Sequence, residues 1–508
     1  MMNLEVKNFP GKGDALIYFI AKEKLKNDAK LKQLDALTKG ALSQKIKLHL
    51  FEAGADEMVS IEMVSPYKHI VLYGLGKTSS VTQATLRNAV ANAVRFSETL
   101  RASSATFFYQ EEFKHIPLFD LGKSLGIGAS MGNYHFDKFK GKETLKKAHR
   151  LSHICIYIEK AIPKELQEGL AFGELIAKGM QTASNLVNEP ASHIHPIELA
   201  ELATKIADSS KEKISVQILE KAECKKLGMG AFLGVAQGSI QDPKFILLKY
   251  SPTTHDKRLK AKKICLVGKS ITFDSGGLSL KPPGSMEDMK TDMTGGATVL
   301  GIFQVLATNP FSPHEVWGVL PACENMVSGG SMRPGDIVTA LNGKTIEVLN
   351  TDAEGRLALA DAVSYAEKYI KPDIMIDIAT LTGACMVALG KDISGIFGND
   401  KSFIKQFLEI AKIEGEEMWE LPLYKPYAKF LKSDIADLKN IANAGGGGAI
   451  TAALFIAEFV NKTKWLHIDI AGPSFRDKPS NGVVVKGGNG VGVASIINLL
   501  KNSKPYNP

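Results

Sequence analysis

The chain has 508 residues and a formal net charge of +8, and 44% of its residues are hydrophobic, 7% aromatic and 23% charged. This composition is typical of a globular protein, and it excludes a fibrous, collagen-like or extensively disordered chain. Because a single hydrophobic core seldom grows beyond roughly 250–300 residues, we expect two domains.

Cysteine usage and apolar runs indicate the cellular compartment. The five cysteines are far apart, and no CxxC pair occurs, which argues against a disulfide framework or a cysteine zinc site and is typical of a reducing environment. Of the longest apolar runs, 15–21 is shorter than the roughly 20 residues that a membrane helix needs, and 373–390 contains Asp373 and Asp377. We therefore expect a cytoplasmic protein that does not contact the membrane.

The first third of the chain alternates strand and helix patterns. Short apolar runs predict strands at 15–21, 69–75, 105–109 and 153–159. Apolar residues at helical spacing predict a helix over 81–100. This βα alternation predicts a smaller N-terminal α/β domain at 1–165.

That first third is also the basic part of the chain. Residues 1–180 carry 26 Lys and Arg against 19 Asp and Glu, or +7, and the remaining residues carry 36 against 35, or +1. A basic domain could face nucleic acid or an acidic partner. A solvated lysine-rich surface is the simpler interpretation, because no dense basic run or basic–aromatic alternation occurs.

A long helical pattern from Pro163 to Asn188 ends at Glu189-Pro190, where proline stops the helix. We expect it to connect the domains over 166–190 and a larger C-terminal α/β domain to fill 191–508. Six apolar runs predict buried strands at 213–220, 244–251, 262–269, 315–322, 373–380 and 464–471. Strands that are apolar throughout, alternating with helices, predict a mixed sheet covered by helices on both faces.

Charged residues cluster where one of these strands ends. The strand at 262–269 delivers Lys269, and Asp274, Lys281 and Asp292 follow it in and after a glycine-rich loop. Sites in α/β proteins usually lie where strand ends open into such loops. Taken singly, Asp274 would more often be a plain loop carboxylate and Lys269 a surface amine.

A second cluster is NTDAEGRL at 350–357, where Asp352, Glu354 and Arg356 alternate with small residues. If this stretch is extended, the three side chains share one face, and the small spacers let a ligand approach. Two close carboxylates repel each other unless one is protonated or a cation lies between them. An exposed turn with an Asp–Arg ion pair is the alternative.

Together the clusters supply four carboxylates, on Asp274, Asp292, Asp352 and Glu354. Four such groups can hold two divalent ions, which orient a substrate, polarise its carbonyl and activate a water molecule. No HExxH motif occurs among the eleven histidines. An oxygen-rich site suits Mn²⁺ or Mg²⁺, and Zn²⁺ also accepts carboxylates.

NTDAEGRL, with GKSITFDSGGLSLKP and MKTDM before it, resembles the leucyl aminopeptidase family of two-metal cytosolic exopeptidases. The resemblance covers most of the second domain, from SNLVNEPASHIHP to WLHIDIAGPSF, and the first domain is compatible with it. It implies a homohexamer that hydrolyses the N-terminal residue of peptides, leucine preferred over a broad range, by a water that bridges two divalent metals.

The resemblance also implies roles for individual residues. Lys281 would donate to the scissile carbonyl, and Arg356 would hold a bicarbonate ion that acts as general base. The metal ligands would be Lys269, Asp274, Asp292, Asp352 and Glu354. The residues that line or border the side-chain pocket would be Met289, Asn350, Ala353, Thr380, Leu381 and Gly383.

Alternative functions remain open from the sequence. The same scaffold could serve as a DNA-binding architectural or regulatory protein, because the first domain is basic and some family members have that role. A related two-metal Cys-Gly dipeptidase is a further alternative. The glycine-rich loop at 445–460 lacks the GxxxxGK[ST] form, so we prefer that it packs near the active site rather than binds a nucleotide.

Overall fold

The computed structural model describes residues 2–7, 13–108, 113–159, 161–252, 261–442, 445–478 and 482–501. The chain divides into two compact units, 1–177 with 478–485 and 178–477 with 486–508. The border falls inside the helix that we expect to connect the domains, and the domain limits 1–165, 166–190 and 191–508 stay a prediction.

The first unit is built on a sheet whose described strands run in the order β1-β6-β5-β2-β4-β3. All pair in parallel except β3, which lies antiparallel to β4 at one edge. The strands are β1 Asn3–Lys7, β2 Gly13–Ile20, β3 Met58–Glu62, β4 Tyr67–Gly74, β5 Ser104–Phe108 and β6 His153–Tyr157. The helices are α1 Ala29–Leu37, α2 Ala41–Lys47, α3 Gln83–Thr99, α4 Leu118–Gly132, α5 Lys142–Lys147 and α6 Lys164–Asn188, the last continuing into the second unit.

The four strands and the two helices predicted for this region are confirmed, although Tyr109 lies outside the described residues. β1 and β3 were not predicted. Both are five-residue edge strands with largely half-buried side chains. Their sequences therefore lack the continuous apolar run of a buried strand.

The second unit contains a larger mixed sheet in the order β16-β15-β18-β14-β9-β11-β8-β7, with β10 paired to β11. Its described strands are β7 Ile214–Leu219, β8 Lys244–Tyr250, β9 Lys263–Gly268, β10 Ser270–Asp274, β11 Glu315–Asn325, β14 Ile374–Ala379, β15 Ser394–Gly398, β16 Met418–Glu420 and β18 Lys464–Asp469. Smaller sheets join β12 Asp336–Thr339, β13 Thr345–Val348 and β17 Leu438–Lys439, and β19 Phe475–Arg476 with β20 Gly487–Gly488.

Helices cover this sheet, as predicted. They are α7 Pro196–Ser209, α8 Lys221–Leu227, α9 Gly230–Ala236, α10 Pro283–Met286, α11 Thr294–Thr308, α12 Gly355–Tyr365, α13 Gly383–Leu389, α14 Lys401–Glu414, α15 Gly448–Ala457 and α16 Val493–Lys501. Cys265 and Val267 of β9 join the core formed with α9, α12 and α15. Their neighbours Ile264 and Leu266 are equally buried and point to the opposite face, so neither face is open to solvent.

The pairing of the central strands determines where a site can form. β18, β14, β9 and β11 run parallel to one another, so their carboxyl ends meet at one edge of the sheet. In open α/β sheets, ligands bind in the crevice at this edge. No helix in the described part of the chain is long and apolar enough to span a membrane.

Candidate metal centre and substrate cavity

The first cluster comes from two strands that are consecutive in the chain, β9 and β10, and from the segment after them. Lys269 directly follows β9, and Asp274 is the last residue of β10. Asp292 lies in the short 3₁₀ segment Met289–Met293 that leads into α11. All three side chains are buried at the carboxyl edge of the sheet. The predicted placement of this cluster at a strand end is therefore confirmed.

Of the two interpretations of 350–357, the extended form is wrong, and a turn is present. Asp352 lies in a turn, and Glu354, with φ −78° and ψ −35°, already has helical geometry as the first cap of α12. Arg356 lies in the first turn of α12, two residues after Glu354. Residues two apart in a helix are rotated by about 200° around its axis, so these two side chains lie on nearly opposite sides. Arg356 therefore points away from Glu354 and reaches the Asn440 carbonyl, whereas the carboxylates of Asp352 and Glu354 come together.

Two lysines lie among the carboxylates. Lys269 Nζ is 2.7 Å from Asp292 Oδ1 and 2.9 Å from Glu354 Oε1. Lys281 Nζ is 2.8 Å from Asp274 Oδ2 and 2.5 Å from Asp352 Oδ1. The second cluster of the sequence thus meets the first, because each lysine joins one acid from either segment.

The carboxylates themselves converge on one point. Ligand atoms of Asp274, Asp352 and Glu354 lie within 4.8 Å of one another. Asp292 Oδ2 and Glu354 Oε2 are buried, and no described group donates a hydrogen bond to either oxygen. A buried carboxylate oxygen without a partner is costly, and a divalent cation would relieve that cost. The donor set therefore fits hard or borderline divalent ions.

Burial and the neighbouring charges shift the pKa values of this cluster. Burial and the charge of Glu354 raise the pKa of Asp274, and burial raises that of Asp292 well above its usual range despite Lys269. Burial lowers the pKa of Lys269, but Asp292 and Glu354 outweigh it and the net shift is upward. Added positive charge would stabilise every carboxylate in this group.

Small residues are required where the two segments meet. A Cβ atom on Gly355 would lie 2.4 Å from Cε of Lys269. Gly276 has a φ of +86°, and a Cβ there would lie 2.8 Å from Oδ1 of Asp352. Glycine is thus the residue that lets the lysine and the carboxylate reach the cluster.

Arg356 is fixed beside the cluster by Asn440. The Arg356 guanidinium is buried, and its NH1 donates to the Asn440 carbonyl at 2.7 Å. Nε of Arg356 meets no acceptor among the described residues. The Asn440 amide also donates to the Asn350 carbonyl at 2.6 Å and accepts from the Leu349 N–H at 2.9 Å. Sequence reasoning missed Asn440, whose partners are 84–91 positions away.

A cavity of about 530 Å³ opens beside these groups, and Lys269, Lys281 and the four carboxylates all line it. The predicted pocket residues Met289, Thr380, Leu381 and Gly383 also line it. Asn350 and Ala353 are outside this lining, in the adjacent turn, where the Asn350 side chain accepts from the Asp352 N–H at 2.8 Å. Lining residues that the sequence did not indicate include Thr382, Met386, Lys391, Ala471, Ser474 and Phe475.

Comparisons with known proteins cover nearly the whole chain. Residues 181–497 match the model of the cytosol aminopeptidase family catalytic domain, and 16–143 match that of its N-terminal domain. The chain is 40% identical to a probable cytosol aminopeptidase of Alkaliphilus oremlandii, with 96% of each chain covered. It is 41% identical to one of Microcystis aeruginosa, again with 96% of each covered.

Solved structures agree with this. A mutant of tomato leucine aminopeptidase superposes with a TM-score of 0.88 at 34% identity, covering 99% of this chain and 96% of its own. The bottromycin maturation enzyme BotP in complex with Mn gives a TM-score of 0.83 at 29% identity, covering 96% and 99%. Fold and acidic cluster define a metal-dependent hydrolase with a two-unit α/β architecture. The chain belongs to the cytosol aminopeptidase family and is an aminopeptidase that acts on peptides.

Proposed function

We propose that this aminopeptidase removes N-terminal residues, leucine preferred over a broad range, with two divalent metal ions bound at the acidic cluster. The observation that carries the proposal is the group of four converging carboxylates in which Asp292 Oδ2 and Glu354 Oε2 are buried without donors. A cluster with this excess of negative charge needs more cationic charge than Lys269 and Lys281 supply.

The ligand sets are those that the family resemblance implies, and the closeness of Asp274, Asp352 and Glu354 supports them. Lys269, after loss of its ammonium proton, would hold one ion together with Asp274, Asp292 and Glu354. Asp274, Asp352 and Glu354 would hold the other. We propose Mn²⁺ or Zn²⁺ for the two ions. Mg²⁺ is a third candidate, because the site is rich in oxygen ligands. When bound, the ions would polarise the peptide carbonyl and make a water molecule nucleophilic near neutral pH.

The remaining polar groups would orient the substrate and move protons. Lys281, whose pKa is raised by Asp274 and Glu354 against the effect of burial, stays protonated. It would donate a hydrogen bond to the oxygen of the scissile carbonyl, where negative charge develops. The Arg356 guanidinium, whose buried Nε meets no acceptor among the described residues, would hold a bicarbonate ion. That bicarbonate would act as the general base.

The cavity supports a preference for leucine-like side chains. Met289, Leu381 and Met386 contribute apolar surface beside the charged cluster. An apolar pocket with a few convergent polar groups is the usual form of a small-substrate site. A leucine side chain at the N-terminus of a peptide would bury its methyl groups against these residues, while the free amine would stay near the carboxylates.

Counting bound metal tests the ligand assignment. Chelated protein that is equilibrated with Mn²⁺ or Zn²⁺ and desalted should retain two ions per chain. Glu354→Ala should lose metal and activity together, because Glu354 is assigned to both ions. Full activity in this variant, or fewer than two ions on the unmodified protein, would show that the two-metal assignment is wrong.

The assembly and location are proposed from the family alone. A homohexamer should have six times the chain mass by light scattering, and a monomer would contradict it. The relatives are named cytosol aminopeptidases, which supports a cytoplasmic location.

A further inference from the structure

The carboxylate of Asp469 joins two loops that line the substrate cavity. Asp469 is the last residue of β18 and is fully buried. Its Oδ2 accepts from the Thr382 hydroxyl at 2.7 Å. Its Oδ1 accepts from the N–H of Leu381 at 3.3 Å and of Ala471 at 3.1 Å. One side chain thus holds the loop after β14 and the turn after β18 in fixed positions.

Thr382 extends this connection into α13. Its hydroxyl accepts from the N–H of Cys385 at 3.0 Å and so caps the helix. α13 in turn carries Met386, which lines the cavity together with Gly383. The position of the apolar wall therefore depends on a hydroxyl that donates to Asp469 and accepts from the helix.

A buried charge pair of His467 and Asp377 lies close to Asp469, whose pKa is raised by burial although His467 acts in the opposite direction. His467 lies two residues earlier on the same strand and so projects from the same face. Its Nδ1 is 2.5 Å from Asp377 Oδ1, while Trp465 Nε1 donates to Asp377 Oδ2 at 2.6 Å. Burial lowers the pKa of His467, but the charges of Asp377 and Asp469 outweigh this effect. The net shift of the His467 pKa is upward, which favours the imidazolium.

We propose that Asp469 is a positioning residue that sets the side-chain selectivity of the cavity by fixing both of these lining loops. The inference rests on the proposed assignment of this cavity as the substrate site. Asp469 belongs to neither proposed ligand set, and its hydrogen bonds to the cavity go to Leu381, Thr382 and Ala471. Loss of the hydrogen bonds to Asp469 should therefore change how well a large substrate side chain fits the cavity, while the metal ions stay bound.

Thr382→Val tests this with a side chain of nearly the same shape that cannot donate to Asp469. The metal-loaded variant is assayed with leucine anilide and alanine anilide. The ratio of their kcat/KM values should fall about tenfold, within the range that one or two methylene groups in an apolar pocket command. The fall should come mainly from a higher KM for leucine anilide. Bound metal per chain should not change.

Two further variants keep the test decisive. Thr382→Ala covers the case that valine does not fit, and the same fall in the ratio is expected. Thr382→Ser restores the hydroxyl and should return the ratio toward the unmodified value. The inference is overturned if Val and Ala keep the ratio, if both substrates lose activity equally, or if metal is lost. A lack of metal-dependent activity in the unmodified protein would instead contradict the proposed function.

Discussion

Two features of Arg356 bear on the role proposed for it. Its guanidinium is buried, and burial lowers its pKa to about 10 although Glu354 and Asp469 act in the opposite direction. One nitrogen donates to the Asn440 carbonyl, while Nε has no acceptor among the described residues. These two features support the proposed bicarbonate site, because an anion would supply both a compensating charge and the missing acceptor.

Arg356→Ala should separate turnover from metal binding. We expect kcat to fall about 100-fold, the typical contribution of a positioned general base, because bicarbonate no longer binds. Stimulation of the remaining activity by added bicarbonate should weaken, and two ions per chain should remain. Arg356→Lys serves as the matched control, since it keeps a charge but not the planar donor arrangement. Unchanged turnover and bicarbonate response in the alanine variant would contradict the assigned role.

At this scale the sequence could predict residues that meet at one cavity but not how they are oriented. Lys269, Asp274 and Glu354 could be predicted because the motifs that contain them are short and specific. Asn440 and Asp469 could not, since their hydrogen bonds to Arg356 and Thr382 span 84 and 87 residues. A side chain that acts through such distant partners leaves no periodic or local signal in the chain.

One carboxylate connects the helix that follows Glu354 to two other elements. Asp361 of α12 is fully buried and accepts from the N–H of Phe232 in α9 at 2.8 Å and of Leu341 at 2.7 Å. Burial raises its pKa to about 7 from a reference value of 3.8. The folded state therefore binds more protons than the unfolded state between these two values, so Asp361 stabilises the fold less as pH rises through them.

Asp361→Asn should remove this pH dependence. The free energy of unfolding of the variant, relative to the unmodified protein, should increase between about pH 5 and about pH 8, by up to a few kcal/mol. The amide loses one backbone hydrogen bond at every pH, which lowers stability by a constant amount. Urea titrations of both proteins at the two pH values measure the difference. A relative stability that is constant or falls with pH would show that Asp361 does not titrate in this range.

The central strands could be predicted and the peripheral ones could not. β8, β9, β14 and β18 are buried on both faces, so most of their residues are apolar, and Asp377, His467 and Asp469 are the buried charged exceptions. β12 and β17 are short and partly exposed and carry no such run. The extended form predicted for 350–357 failed because the backbone turns at Asp352 and enters α12 at Gly355. Alternating residues in a short stretch do not by themselves distinguish a strand from a turn that starts a helix.

At the scale of the whole molecule, the division of the chain into two α/β units follows from its length and strand pattern. The assignment of 478–485 to the first unit had no sequence signal. There, the N–H of Gly482 donates to Asn92 Oδ1 at 2.9 Å and that of Val483 to Asn88 Oδ1 at 3.2 Å. These contacts join residues nearly 400 positions apart. The first unit therefore includes a segment from near the other end of the chain.

The central claim is that the acidic cluster of the second unit holds the metal ions on which catalysis depends. The most direct measurement is release of the chromophore from leucine anilide by the full chain, after chelation and again after Mn²⁺ or Zn²⁺ is added back. We predict that chelation abolishes the activity and that either ion restores it. Activity that survives complete removal of metal, or a folded protein that stays inactive with every ion tested, would contradict the account.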